Sequence, residues 1–284
     1  MVVAEMAEIL GKTEDAANYR AMAADLKAAV NATFDSDGDG IYVNGMKHDG
    51  TLITGTATPA TIYPLLHGLV DDETAYATGL KYVADKGFTG SVFGAQFMLE
   101  LMYAADNGDR AYELLTDTGI RSWYHMIYDL GATITTEAWD VSHKPNMTFS
   151  HPWGSAAGNA IVEGLGGIKP LEAGYSKIQI KPQIGELEFI TLTAPTIKGS
   201  VKVGVDTRKA TSLADMTVTV PANTTAKVYV PTYGAAADVL VVDSETVAAT
   251  REGDYFVLDN LGSGTHTFSI PVAYKMVAKT DSEA

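Results

Sequence analysis

The chain has 284 residues, 46% hydrophobic and 19% charged, with 20 Lys+Arg against 35 Asp+Glu and a net charge of −15. That is enough chain for two domains with cores of ordinary size, and it has none of the basic runs that a nucleic acid or an anionic membrane surface would require. Cysteine is absent, which excludes disulfides, thiolate metal sites and a cysteine nucleophile; a neutral ligand suits the charge, and nothing asks for a cofactor.

The N-terminal MVVAEMAEILGK has acids at Glu5 and Glu8 and no basic, apolar leader pattern, so it does not read as a signal peptide, which favours the cytoplasm. No apolar run approaches the roughly 20 residues of a membrane span. Residues 1–33 read as two helices broken at Gly11, the second opening at Thr13 as N-cap, with Tyr19, Met22, Ala23, Leu26, Val30 and Phe34 as its apolar stripe. Asp35, Asp37 and Asp39 then alternate before Gly40, as in the first half of a calcium loop. The twelfth position, where a bidentate Glu should close the loop, is Met46. The favoured reading is a Gly/Asp turn leading into a short strand, IYV.

Between Thr56 and Thr118 the pattern is helical: TPATIYPLLHGLV with Pro59 in the first turn, a helix opened by Asp71-Asp72-Glu73 and ended by Gly87, the very apolar SVFGAQFMLELMYAAD, and RAYELLTDT. Connections this short predict helix hairpins. SWYHMIYDL reads as another helix ending near Gly131. GATITTEAWD, with its β-branched run, reads as an extended loop, and Ser150 as the cap of a small-residue helix reaching Leu165. After Gly166-Gly167 the character changes. KIQIKPQ, LEFITLTAP, TIKGSVKVGVD, DMTVTVPAN, AKVYVP, DVLVVD, DYFVLD and HTFSIPVAY alternate apolar and polar between Pro, Gly, Asn and Asp clusters, the mark of an antiparallel β-sandwich. The expected layout is a helical-hairpin segment over 1–170, the sandwich over 171–276 and a polar tail over 277–284.

The stretch richest in chemistry runs from Arg121 to Tyr175. Glu137 stands just before Trp139 and Asp140, with Asn146, His151 and Trp153 following. Aromatic rings offer faces to sugar C–H groups while carboxylate, imidazole and amide hold hydroxyls. On residue types alone, a core tryptophan, a solvated glutamate and a structural histidine are the more ordinary readings.

RSWYHMI, GATITTEAWD, KPN and SHPWGSAAGN, followed by GIKPLEAGYSKIQIKPQ and VPANTTAKVYVP, resemble the bacterial α-L-rhamnosidases, inverting glycosidases with an (α/α)6 barrel. The resemblance implies a partial (α/α)6 toroid of helix hairpins followed by an antiparallel β-sandwich. It also implies removal of terminal α-L-rhamnose from a neutral carbohydrate. Glu137 falls at the family's general base and His151 at its sugar-binding histidine. Trp139 and Trp153 fall at the pocket wall or its support, and Asp140 and Asn146 become hydroxyl partners. The family's general acid lies in an earlier acidic, Trp-containing motif that has no counterpart here. About seven or eight helices precede the sandwich, against the twelve of six hairpins, as expected of an internal start, a truncated gene or a split one. The expected partners are therefore a homo-oligomer mate or a completing barrel segment. The competing readings are another α-toroid glycosidase, a polysaccharide lyase (disfavoured by the acidic charge) and a non-catalytic carbohydrate-binding or scaffold fragment. A sugar site on the sandwich is disfavoured by its lack of tryptophan.

Overall fold

The computed structural model describes residues 1–35 and 37–272. The expected end of the sandwich beyond 272 and the polar tail over 277–284 lie outside the described residues. The chain divides into two compact units, Met1–Ala104 and Ala105–Ala284.

The first unit is helical. Helix α1 (Val2–Ile9) packs on α2 (Thr13–Phe34). Gly11 between them takes a φ of +70°, open to glycine without the Cβ penalty. Thr13 is the first helical residue, with Lys12 in the capping position and no side-chain cap. The predicted stripe of α2 is not buried: Tyr19, Met22 and Leu26 are exposed, as are Val2, Val3, Met6, Ile9 and Leu10 around α1, and Ala16 is the buried residue of α2. Helix α3 (Thr58–Leu66) packs on both α4 (Glu73–Lys86) and α5 (Val92–Ala104). Pro59 sits in the first turn of α3, where its missing N–H costs nothing. The Asp72 carboxylate caps α4 by accepting from Ala75 N at 2.8 Å. Ile62, Leu65, Val83, Val92, Ala95, Met98, Leu99, Leu101 and Met102 form the core of these three helices.

The segment after α2 departs from expectation. Residues 41–43 form no ladder; Val43 N donates to Phe34 O, Tyr42 N to Thr61 Oγ1, and Tyr42 Oη to Asn31 Oδ1. These helix-end partners satisfy the backbone that a strand partner would otherwise have taken. The hairpin lies further on, as β1 (Gly45–Met46) and β2 (Leu52–Ile53). Asp35, Asp37 and Asp39 bring one carboxylate oxygen each within 4.8 Å of the others. Asp35 is largely buried and accepts weakly from Gly40 N, at 3.3 Å to each oxygen. Burial and the two neighbouring carboxylates raise its pKa.

The second unit starts with α6 (Gly108–Thr116). Two further runs are not simple α-helices: His125–Asp129 is π-helical, and the stretch expected as one helix to Leu165 is a 3₁₀ turn (Pro152–Ser155), then α7 (Ala156–Ala160), then a π turn (Ile161–Leu165). Ser150 caps neither; extended His151 precedes the 3₁₀ turn with no side-chain cap.

The sandwich follows. Strands β3 (Ile168–Pro170), β4 (Lys177–Ile180), β8 (Thr225–Pro231), β12 (Tyr255–Leu261) and β11 (Thr250–Glu252) form a five-stranded sheet in the order β11-β12-β8-β4-β3. Strands β5 (Phe189–Thr196), β6 (Gly199–Asp206), β7 (Ser212–Val220), β9 (Val239–Val242), β10 (Glu245–Ala248) and β13 (Gly264–Pro271) form the second, in the order β10-β9-β13-β7-β6-β5. Among the described residues the sandwich is antiparallel but for one pair, β4 with β8, which is parallel. Strict alternation along β7 and β8 points one face inward. Val201, Val203, Val205, Met216, Val218, Phe268 and Ile270 line one sheet, and Ile178, Ile180, Val228, Val230 and Phe256 the other. At about 1.5–3 kcal/mol per buried large aliphatic or aromatic side chain, this is the larger hydrophobic reserve of the unit. The first sheet begins at Ile168, inside the segment expected to be helical. Gly167 turns the chain into it with φ +67° against the backbone of Lys181, where any Cβ would lie 2.0 Å from the Lys181 carbonyl.

Candidate active site

The candidate residues sit on the loop 131–154 between the π-helical turn and α7. The loop is held by two strand-like backbone contacts. Glu137 N donates to Thr148 O at 3.0 Å, and His151 N to Thr135 O at 2.9 Å. Thr135 Oγ1 adds a bond to His151 O at 2.8 Å. The β-branched run thus folds back along 148–151 and sets Glu137 and His151 on neighbouring rungs. Gly154 closes the loop from below. A Cβ there would meet Thr135 Cβ at 2.6 Å and Thr136 O at 2.9 Å, so only glycine lets the 3₁₀ turn approach so closely.

Underneath lies an aromatic floor. Trp123 and Trp139 are both buried and meet edge to face, centroids 5.3 Å apart. Trp123 Nε1 donates to Gly154 O at 2.7 Å. Trp153 faces outward, 43% exposed, with Nε1 donating to Glu137 O at 3.0 Å and its ring 4.0 Å from the His151 ring.

The Glu137 carboxylate is only 11% exposed. One oxygen pairs with Lys144 Nζ and the other accepts from Thr148 N at 3.0 Å. The Lys144 contact first, then the Thr148 amide, lower its pKa against a smaller opposing effect of burial, so the carboxylate is ionised at neutral pH. Thr148 Oγ1 lies 2.8 Å from His151 Nδ1. That contact fixes the ring and leaves Nε2 for another partner.

The sequence-predicted residues thus divide. Glu137, His151 and Trp153 come together. Trp139 lies beneath them, inaccessible to a ligand. Asp140 turns aside: Oδ1 accepts from Ser142 N at 2.8 Å and Oδ2 lies 2.8 Å from His125 Nε2. Ser142 and then His125 hold its pKa far below the usual carboxylate range. Asn146 is exposed in the turn that Met147 N closes onto Lys144 O at 3.0 Å. The Asp35, Asp37 and Asp39 cluster belongs to the other unit.

Four contributors escaped the sequence reading: Lys144, Thr148, Trp123 and His125. Lys144 stands in the KPN triplet, and its pairing with Glu137 needs the turn at 144–147 to be known. His125 bridges two acids, with Nδ1 2.7 Å from Asp129 and Nε2 on Asp140; the i, i+4 spacing from His125 to Asp129 was the available signal.

Residues 1–164 match the family model of the bacterial α-L-rhamnosidase six-hairpin glycosidase domain, and residues 167–243 that of the bacterial α-L-rhamnosidase C-terminal domain. An α-L-rhamnosidase of Formosa agariphila is 28% identical over 254 residues, covering 86% of this chain and 26% of the relative. One of Streptomyces avermitilis is 28% identical over 282 residues, 95% of this chain and 25% of the relative. The chain therefore spans about a quarter of the length of the curated relatives it matches. Among solved structures, the α-L-rhamnosidase from Dictyoglumus thermophilum superposes with a TM-score of 0.78 at 21% identity, over 95% of this chain and 30% of that one. The Streptomyces avermitilis α-L-rhamnosidase complexed with L-rhamnose gives 0.73 at 25% identity, over 94% of this chain and 25% of that one. With more than half of its length in the first of these matches, the chain belongs to the bacterial α-L-rhamnosidase six-hairpin glycosidase family.

Proposed function

We propose that this chain carries the water-activating half of an inverting α-L-rhamnosidase site, with Glu137 as the general base. The observation that carries this reading is the setting of the Glu137 carboxylate, kept ionised by Lys144 and the Thr148 amide beside the His151 imidazole and the outward face of Trp153. In inverting hydrolysis a water oxygen attacks the anomeric carbon while the base takes its proton. The glycosidic C–O bond breaks on the other side, where an acid about 6.5–9.5 Å away protonates the leaving oxygen. His151 hydrogen-bonds a sugar hydroxyl through the ring nitrogen not facing Thr148, and Trp153 offers its ring to the sugar's C–H face. The sugar bound to the Streptomyces avermitilis relative, L-rhamnose, is the substrate group of this proposal.

Neither Asp140 nor Asp129 suits the acid's role. An acid must hold its proton near neutral pH, whereas Asp140 is driven strongly towards the ionised form and Asp129 is tied to the same histidine. We place the acid on further helical hairpins of a six-hairpin barrel, which also cover the apolar residues exposed on α1 and α2. The sandwich braces the site and takes no part in the chemistry.

Release of the aryl group from an aryl α-L-rhamnoside tests the proposal. The chain alone is expected to give at most trace turnover. In a polypeptide that also carries the remaining hairpins, Glu137→Gln lowers kcat by about 10²–10⁴-fold with inverted product in the parent. Full turnover by the Gln variant, or retained anomeric configuration, would sink the assignment.

A further inference from the structure

The second unit holds another concavity, with none of its walls on the loop 131–154. It is an open cleft of about 200 Å³ between the start of α6, the turn 182–185 after β4, and the sandwich turns at Tyr233 and Asp254. We propose that this cleft binds a neutral saccharide unit, as a site separate from Glu137.

Its walls come from four chain segments and include Tyr233, Tyr255, Asn107, Gln183, Asp109 and Asp254. A ring and acidic acceptors along one cleft suit a pyranose: Tyr233 is the apolar face to stack on, since Lys181 stands over Tyr255, and Asp109 and Asp254 accept from its hydroxyls. Two other ligand classes fit less well. A metal ion needs carboxylate oxygens gathered around one point. The described residues gather three acids within 4.8 Å at Asp35, Asp37 and Asp39, and not in this cleft. A cationic amine would seek the Tyr255 ring, but Lys181 already stands over it with Nζ 4.8 Å from the centroid, while pairing with Asp106 at 2.5 Å. The protein's own ammonium fills the position an aromatic cage would offer.

Tyr233 supports the assignment independently. Its φ is +47°, followed by Gly234 at +74°, in a turn closed by Ala235 N on Thr232 O at 3.0 Å. A bulky residue is disfavoured in that conformation, where Asn or Gly would sit without strain, yet here a tyrosine lines the cleft. Burial pushes its phenol up to about 12, so it remains a neutral hydroxyl at any physiological pH.

The test is calorimetric titration of the full chain with three probes: an α-L-rhamnosyl disaccharide, lactose and spermidine. It is run in wild type, Tyr233→Asn, Asp254→Asn and His151→Ala, with circular dichroism to confirm folding. Asn suits the left-handed turn and removes only the ring; Asp254→Asn is conservative and exposed. Saturable binding of a disaccharide that weakens at least tenfold in Tyr233→Asn and in Asp254→Asn but persists in His151→Ala supports the proposal, as does sugar density in the cleft of a soaked crystal. Binding that is lost in His151→Ala and unchanged by both cleft variants overturns it. So does heat from spermidine alone, or no heat and no density with either sugar. Because the cleft variants leave the 131–154 loop intact, failure here leaves the Glu137 reading standing, and the reverse.

Discussion

At the scale of single residues, Lys144 governs the chemistry that Glu137 can do. Its ammonium is the first cause of the depressed Glu137 pKa. Lys144→Met is expected to raise that pKa towards the ordinary value of 4.5 and to move the acid limb of the kcat/KM profile upward in a turnover-competent polypeptide. A carboxyl-carbon NMR titration of Glu137 reads the same shift without substrate; an unmoved titration would refute the role given to Lys144. Gly154 is the second such residue. Gly154→Ala drives a methyl into Thr135 and the Thr136 carbonyl, an overpacking expected to cost about 1–3 kcal/mol, visible as a lower denaturation midpoint with unchanged m-value. Neither effect was legible in the sequence. Glu137 and His151 stood out by type and spacing, whereas the Lys144 contact depends on a turn that only the folded loop defines.

At the scale of elements, the π-helical turn His125–Asp129 is tied to the site loop by one imidazole. His125 joins Asp129 on its own turn to Asp140 across the loop, and hydrogen bonding to Asp140, then to Asp129, raises its pKa above the model-compound value of 6.5. With the folded value raised, the bridge contributes its full stability below pH 6.5 and loses it as pH rises through the folded value. The neutral ring can donate to only one of its two acids. The thermal midpoint of wild type minus that of His125→Gln should therefore be larger at pH 5.5 than at pH 8.5; a difference independent of pH would contradict the bridge. Helix boundaries at Gly11, Asp72 and Gly87 could be read from the chain because capping and left-handed turns are local. The π turns and the 3₁₀ start at Pro152 could not, because they follow from how the loop packs against Trp123 and Gly154. Strand β3, three residues from Ile168 to Pro170, was too short to show alternation. The parallel β4–β8 pairing is a long-range choice that no local pattern announces.

At the scale of the molecule, the two units carry unlike surfaces. The sandwich hides its Val, Ile and Phe residues between two sheets, whereas α1 and α2 hold Met6, Ile9, Leu10, Met22 and Leu26 in water. The sequence announced an apolar stripe on α2 and not what covers it, because amphipathic spacing says which face seeks a partner and not which partner it has. Apolar side chains exposed in this number on one packed helix pair favour association. Light scattering of the chain is expected to show oligomers or aggregates that Met22→Glu with Leu26→Glu disperses. A monodisperse wild-type monomer would count against the proposed hairpin-covering role of this face.

All three tryptophans, Trp123, Trp139 and Trp153, lie in one corner of the second unit, two sealed beneath the Glu137 loop and one looking outward beside His151. The chain's ultraviolet emission is therefore a private channel from that loop. The helices before Ala105 and both sheets of the sandwich are dark in it. A change in emission on adding a sugar reports the loop alone, and quenching by a soluble agent such as acrylamide falls mainly on Trp153. Unfolding followed by tryptophan and by tyrosine emission will coincide only if the loop and the tyrosine-rich remainder of the chain melt together.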